Sequence, residues 1–151
     1  MLGLNGHLYL LKASIAVLGI NRPETSLDLN AVDDDNSTAL LLAMKQKRFD
    51  LVKYLLRLPQ TKINIYSLKY GLPLHVALAQ SEFKLANKLI KAYSSNPPQT
   101  DSAFEVDVNV ANEYGNTPLH LVFLNFNKAP EMAALLAKQL IKKGADLHCR
   151  N

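Results

Sequence analysis

Apolar residues recur along this chain at helical spacing, in short stripes separated by polar turns. Between positions 49 and 57, Phe49, Leu51, Val52, Leu55 and Leu56 line one side while Asp50, Lys53 and Arg57 fall on the other. This is the pattern of a helix with one buried face. Pro59 closes it, because proline cannot continue a helix and pushes its predecessor into extended backbone. Leu85, Ala86, Leu89 and Ile90 repeat the stripe, as do Leu135, Leu136, Leu140 and Ile141, and a shorter one, Leu119, Val122 and Phe123, follows a proline. The longest apolar stretch, residues 8–20, contains Lys12 and Ser14. It is shorter than the roughly 18–20 residues a membrane span requires, so it predicts a core helix.

The stripes belong to a repeat. Thr117-Pro118-Leu119-His120 has a partial copy in Leu72-Pro73-Leu74-His75 and a weaker one in Thr38-Ala39-Leu40-Leu41, with Ala43 and Ala77 continuing two of them. A second signature, a polar or acidic residue followed by an aliphatic one and Asn, occurs as Asp28-Leu29-Asn30, Lys62-Ile63-Asn64 and Asp107-Val108-Asn109, with Asp146-Leu147-His148 as a variant. The interval between the two signatures is constant: Asn30 to Thr38, Asn64 to Leu72 and Asn109 to Thr117 are each 8 residues. Three equal offsets identify one structural unit used repeatedly, none of which can bury its stripe without a neighbour.

These residues resemble the ankyrin repeat, which runs from a Gly-bearing turn through Thr-Pro-Leu-His, a helix, a Gly-His bend and a second helix to Gly-Ala-Asp-Val-Asn. Gly144-Ala145-Asp146-Leu147 matches the last element, and Gly6-His7 with Leu8 to Lys12 looks like the bend and second helix of a repeat lacking its first helix. The resemblance implies an all-α fold, an ankyrin-repeat solenoid of stacked helix-turn-helix units with β-turn or hairpin fingers. Residues 1–151 would form a single domain. It comprises a partial repeat over 1–32, a repeat over 33–66, a repeat over 67–111 with a loop insertion at about 94–105, and a repeat over 112–151 with a lengthened second helix and the start of a next turn. Both ends are expected to be cut from a longer array or a larger protein.

Local chemistry supports the same assignment. Thr117 is placed to accept the N–H of the third helical residue, and Pro118 occupies the first helical position, where its missing N–H costs nothing. Gly115 supplies the positive φ the preceding turn needs. His75 and His120 sit at the motif's histidine and are expected to be structural; family histidines at this position hydrogen-bond to the neighbouring repeat. Leu41 stands there instead in the repeat over 33–66, which should rely on packing. Leu72 replaces the capping Thr, a loss of roughly 1 kcal/mol. Gly71 comes one position later than Gly115 relative to its motif, leaving Tyr70 where a left-handed residue is expected, so that turn should be reshaped. The motif spacing is 34 from Thr38 to Leu72 but 45 from Leu72 to Thr117. The excess falls at residues 94–102, a polar, proline-bearing stretch read as a surface loop. Ala129-Pro130-Glu131 is expected to start the lengthened helix.

At 151 residues and 16.8 kDa, with 48% hydrophobic and 20% charged residues, the chain has the composition of one globular domain, which excludes wholesale disorder and a fibrous chain. The single cysteine, Cys149, excludes a disulfide scaffold. Residues 1–6 lack the basic segment of a secretory signal. These observations predict an intracellular, cytoplasmic protein. The net charge of +4 comes from 17 Lys+Arg against 13 Asp+Glu, including the run Asp33-Asp34-Asp35, and reads as an ordinary solvated surface.

No catalytic or metal constellation emerges: there is no His-Glu-x-x-His, Cys-x-x-Cys, Gly-x-Ser-x-Gly or phosphate-binding glycine run, and adjacent His148 and Cys149 would point apart in extended backbone. No enzyme activity and no cofactor are expected. By the family resemblance the chain should be a protein–protein interaction module, a monomeric scaffold binding another protein through the concave surface of the stack, with no nucleic-acid or membrane partner. The alternative is a substrate-docking domain of a larger enzyme or a host-directed bacterial effector, which would act in the host cytoplasm. By position the contact candidates are Asp34, Asp35, Ser37, Lys45, Gln46, Tyr66, Leu68, Lys69, Gln80, Glu113, Tyr114, Asn116 and Asn125. Tyr66, Leu68, Tyr70 and Tyr114 stand out because they fall in turns, where an aromatic or large apolar residue has less access to a core and can anchor an interface.

Overall fold

The computed structural model describes residues 29–58, 61–95 and 107–148; most of the half repeat expected over 1–32 and of the loop expected over 94–105 lies outside the described residues. The chain forms two compact units, Met1–Lys69 and Tyr70–Asn151. Among the described residues the first holds α1 (Ala39–Lys45) and α2 (Phe49–Arg57). The second holds α3 (Pro73–Ala79), α4 (Phe83–Ser95), α5 (Pro118–Leu124) and α6 (Pro130–Lys142), with a 3-10 turn, Phe126–Lys128, between the last two. No strand occurs among the described residues; the finger before α1 closes with an isolated antiparallel bridge between Val32 and Thr38.

In the first unit the Thr38 hydroxyl accepts the Leu41 N–H at 3.3 Å and so begins α1. Ala39 to Met44 are all buried, Leu41 among them at 1% exposure, so packing takes over where the motif's histidine is missing. A left-handed Lys47 turns the chain back, and α2 packs on α1 with Leu51, Val52 and Leu55 inward and Asp50, Lys53 and Arg57 exposed. The helix ends at Arg57 and Leu58 is extended, as the following proline dictates.

The second unit is a two-layer arrangement. α3 packs on α4 and α5 on α6 within each pair; between pairs, α3 packs on α5 and α4 on α6. Leu74, Ala77 and Leu78 of α3, Ala86, Leu89 and Ile90 of α4, Leu119 and Val122 of α5, and Ala133, Leu136 and Leu140 of α6 are buried between the layers. Two expectations need correction here. Phe123 is 54% exposed and Leu121 is buried in its place, while Leu135 and Ile141 are 42% and 44% exposed, because among the described residues α5 and α6 pack on one neighbouring pair, α3 and α4. Residues 94 and 95 are not loop: α4 runs through Ser95. The lengthened helix does start at Pro130, in the first turn of α6.

Candidate recognition surface

Each first helix is preceded by a finger whose backbone is held by its own side chains. In the first unit the Asp33 carboxylate accepts the N–H groups of Asp35 and Ser37 at 3.1 and 2.8 Å, and Asn36 is left-handed at φ 59°. In the second unit Asn112 does the same for Tyr114 and Asn116, both at 3.0 Å, around Gly115 at φ 75°. Asp and Asn are suited to this because their short side chains reach the backbone two residues on. Between these fingers in sequence, the left-handed position has moved from the one Tyr70 holds to Gly71, at φ 73°, and the turn is reshaped as its glycine spacing predicts. A Cβ on Gly71 would also lie 2.8 Å from His75 Nδ1.

Fingers within a unit are tied to one another. In the first unit Asn36 donates to the Tyr66 carbonyl, the Leu68 N–H reaches the Asp35 carbonyl at 2.8 Å, and the Ser37 and Ser67 hydroxyls meet at 2.7 Å. Ser67 also donates to the Asp35 carbonyl, which leaves Ser37 as the donor of the shared bond. The asparagine of the second signature is a clamp between successive copies: Asn30 accepts from Lys62 N at 2.7 Å, and Asn109 accepts from Asp146 N at 2.7 Å while donating to the Gly144 carbonyl at 2.9 Å.

His75 performs the structural role expected of it. Its Nδ1 accepts the Leu72 N–H at 2.9 Å, so Nε2 carries the proton and donates to the Val110 carbonyl, 3.0 Å away at the end of the same repeat, just before the next finger. Burial pushes its pKa down to about 4, against a smaller opposing pull from the Val110 and Asn116 carbonyls. His120 holds Thr117 in the same way, at 3.1 Å from the N–H and 2.9 Å from the hydroxyl. Leu72 makes no side-chain cap, yet the first turn of α3 is satisfied: the His75 N–H bonds the Leu72 carbonyl at 2.9 Å, and the Leu74 N–H hydrogen-bonds the Tyr93 hydroxyl. Burial drives the Tyr93 hydroxyl strongly toward its protonated form, with the Leu74 N–H pulling partly back. No sequence pattern announced this cap, since Tyr93 is 21 residues downstream of Leu72.

With the frame accounted for, the candidate contacts divide. In the first unit Asp34, Asp35, Lys45, Gln46, Leu68 and Lys69 are exposed and Tyr66 is half-buried; Leu68 is 67% exposed. In the second unit Glu113 and Tyr114 are exposed, Tyr114 to 75%, and Gln80, Asn116 and Asn125 are half-buried. Ser37 is buried at 1% with its hydroxyl engaged by Ser67, which makes it part of the frame. Asn125 spends its amide on the Leu78 and Leu121 carbonyls and accepts from Ser81, again a framing role. Tyr70 is half-buried. Among the described residues no group of His, Cys, Asp and Glu could hold a metal ion, and no helix is long and apolar enough to cross a membrane.

The helix pair α5/α6 is entered by a capped Thr-Pro-Leu-His after a finger turned at Gly115, and an asparagine clamp ties its end to Asn109. Residues 114–151 match the family model of the ankyrin repeat, and the chain carries an ankyrin repeat there. The matched stretch contains α5, α6 and the Gly-Ala-Asp turn. Ankyrin repeats are in general protein–protein interaction modules. No curated protein matches the chain significantly.

Proposed function

We propose that the chain is a binding module that recognises another protein through its fingers and the adjoining first helices, acting as a non-catalytic monomer. The observation that carries this reading is the contrast at the fingers. In one unit Asp33 fixes its finger, and Leu68 of the next finger, tied to it through the Asp35 carbonyl, faces solvent; in the other Asn112 fixes the finger that exposes Tyr114. A rigid turn that presents an exposed anchor loses little conformational entropy on binding. Asp34, Asp35 and Lys69 around Leu68, and Glu113 beside Tyr114, supply charges that set partner choice and register. The single-domain arrangement over 1–151 and a cytoplasmic location are part of the same proposal.

Affinity capture with the chain as bait, comparing it with Leu68→Ser and Tyr114→Ser and with the helix-face control Lys53→Gln, tests the reading. The finger variants should lose the captured protein while unfolding at the same temperature as the parent. Anchors of this kind commonly cost about 2 kcal/mol or more when truncated. Capture that survives both finger changes would overturn it.

A further inference from the structure

In the second unit, α4 and α6 form one layer, so the sides they turn away from α3 and α5 make a common outer face. On α4 the residues opposite Ala86, Leu89 and Ile90 are Lys84, Lys88 and Lys91, at the four- and three-residue intervals that align side chains along a helix, and all three are exposed. On α6 the residues opposite Ala133, Leu136 and Leu140 include Lys138 and Lys142, also exposed. α4 contains no acidic residue, and α6 carries one, Glu131, exposed in its first turn on the side of Lys138 and so offsetting one of the lysines. Five of the 17 Lys and Arg residues therefore share one helical face. Leu135 and Ile141, 42% and 44% exposed, interrupt the lysines on α6.

Against the expectation of no membrane partner, we propose that this face docks the protein peripherally on an anionic lipid surface. The side-chain chemistry selects that partner over others. The five cations are all lysines, compact point charges on flexible stems that suit a fluid sheet of headgroups, whereas bidentate reading of fixed phosphates favours arginine. Each lysine near an anionic leaflet contributes about fivefold in affinity, so five are ample for a reversible association. Leu135 and Ile141 between them can enter the boundary between headgroups and acyl chains and add apolar burial to the electrostatic attraction. Each helix, 13 residues long, extends about 20 Å, and the two side by side offer an area rather than a line.

Flotation of the purified chain with vesicles of phosphatidylcholine alone, or of equimolar phosphatidylcholine and phosphatidylserine, tests this. The chain should float with the anionic vesicles only, and less so as salt rises through physiological strength. Lys84→Gln/Lys88→Gln/Lys138→Gln should weaken flotation about a hundredfold, at about fivefold per lysine. Leu135→Ser/Ile141→Ser should weaken it several-fold, and Lys45→Gln/Lys53→Gln should leave it unchanged. Tyr114→Ser, which tests the protein-binding fingers, should also leave it unchanged. Equal flotation with neutral vesicles, no flotation, or indifference to the lysine triple would overturn the proposal. So would binding to a single-stranded RNA or a polyglutamate peptide that depends on the same lysines while vesicles are ignored.

Discussion

Within the second unit, the helix pairs α3/α4 and α5/α6 start from nearly the same sequence and end in different environments. Three residues beyond each motif histidine stand Leu78, wholly buried, and Phe123, 54% exposed. In the shared Leu-Ile-Lys near the end of each second helix, Ile90 is 1% exposed and Ile141 44%. In the second signature Val108 is 3% exposed and Leu147 61%. Three aligned apolar positions thus change from core to surface together. The apolar stripe of a repeat records the capacity to be covered, and whether it is covered depends on a neighbour that its own sequence does not specify.

That difference predicts the largest mutational contrast in the molecule. Leu78→Ala opens a cavity in a closed core and should cost about 3 kcal/mol, whereas Phe123→Ala should cost well under about 1 kcal/mol. Urea unfolding of both variants measures it. Equal losses would mean that Phe123 is covered and that the two pairs do not differ as described.

The same contrast shows what was legible in the sequence. The period, the helix starts at Thr38 and Thr117, the glycine turns and the Asn-bearing signature could be read because each depends on residues within one motif; that the asparagine clamps the next copy could not, because its partners lie 32 to 37 residues away. The reshaped turn at Gly71 could be read for the same reason, since a one-residue shift of a glycine changes which position can be left-handed. The exposure of Phe123, Leu135 and Ile141 could not, because helical spacing reports a face and not its occupant. The lysine face on α4 and α6 was hidden in a modest net charge, and it emerges only when the layer order places two stripes on one side. Among the candidate contacts, Ser37 and Asn125 occupy the positions of contact residues in the family pattern, and their hydrogen bonds to Ser67 and Leu78 are visible only in three dimensions.

Acid acts on the first pair through its buried histidine. His75 is 1% exposed and must stay neutral to accept from Leu72 while donating to Val110, and its pKa is lowered from 6.5 to about 4. Above pH 6.5 the side chain is neutral in both folded and unfolded chains and contributes no pH dependence. As pH falls below 6.5 the unfolded chain takes up a proton the folded one refuses, and stability drops by about 1.4 kcal/mol per unit until the folded pKa is reached. Denaturant unfolding should therefore show a loss of roughly 2 kcal/mol between about pH 7 and pH 5 from this residue. His75→Gln, less stable at neutral pH, should lack that slope. An unchanged slope in the variant would place the acid sensitivity elsewhere.

The smallest expected effect concerns how the two first helices begin. α5 is capped by its own Thr117, and α3, with Leu72 at that place, borrows the Tyr93 hydroxyl from α4. Thr117→Ala and Tyr93→Phe should therefore each cost about 1 kcal/mol, the usual value of an N-cap, although only one of them lies at a cap position in sequence. Leu72→Thr separates a cap from ordinary packing. In the parent it removes a buried leucine and should destabilise. In the Tyr93→Phe background, however, the new threonine hydroxyl can serve the first turn of α3, which loss of the tyrosine hydroxyl has left short of an acceptor. The double variant should then be more stable than the sum of the single losses by about 0.5–1 kcal/mol. Strict additivity would mean that Tyr93 acts through its ring alone, and that α3 begins without a cap.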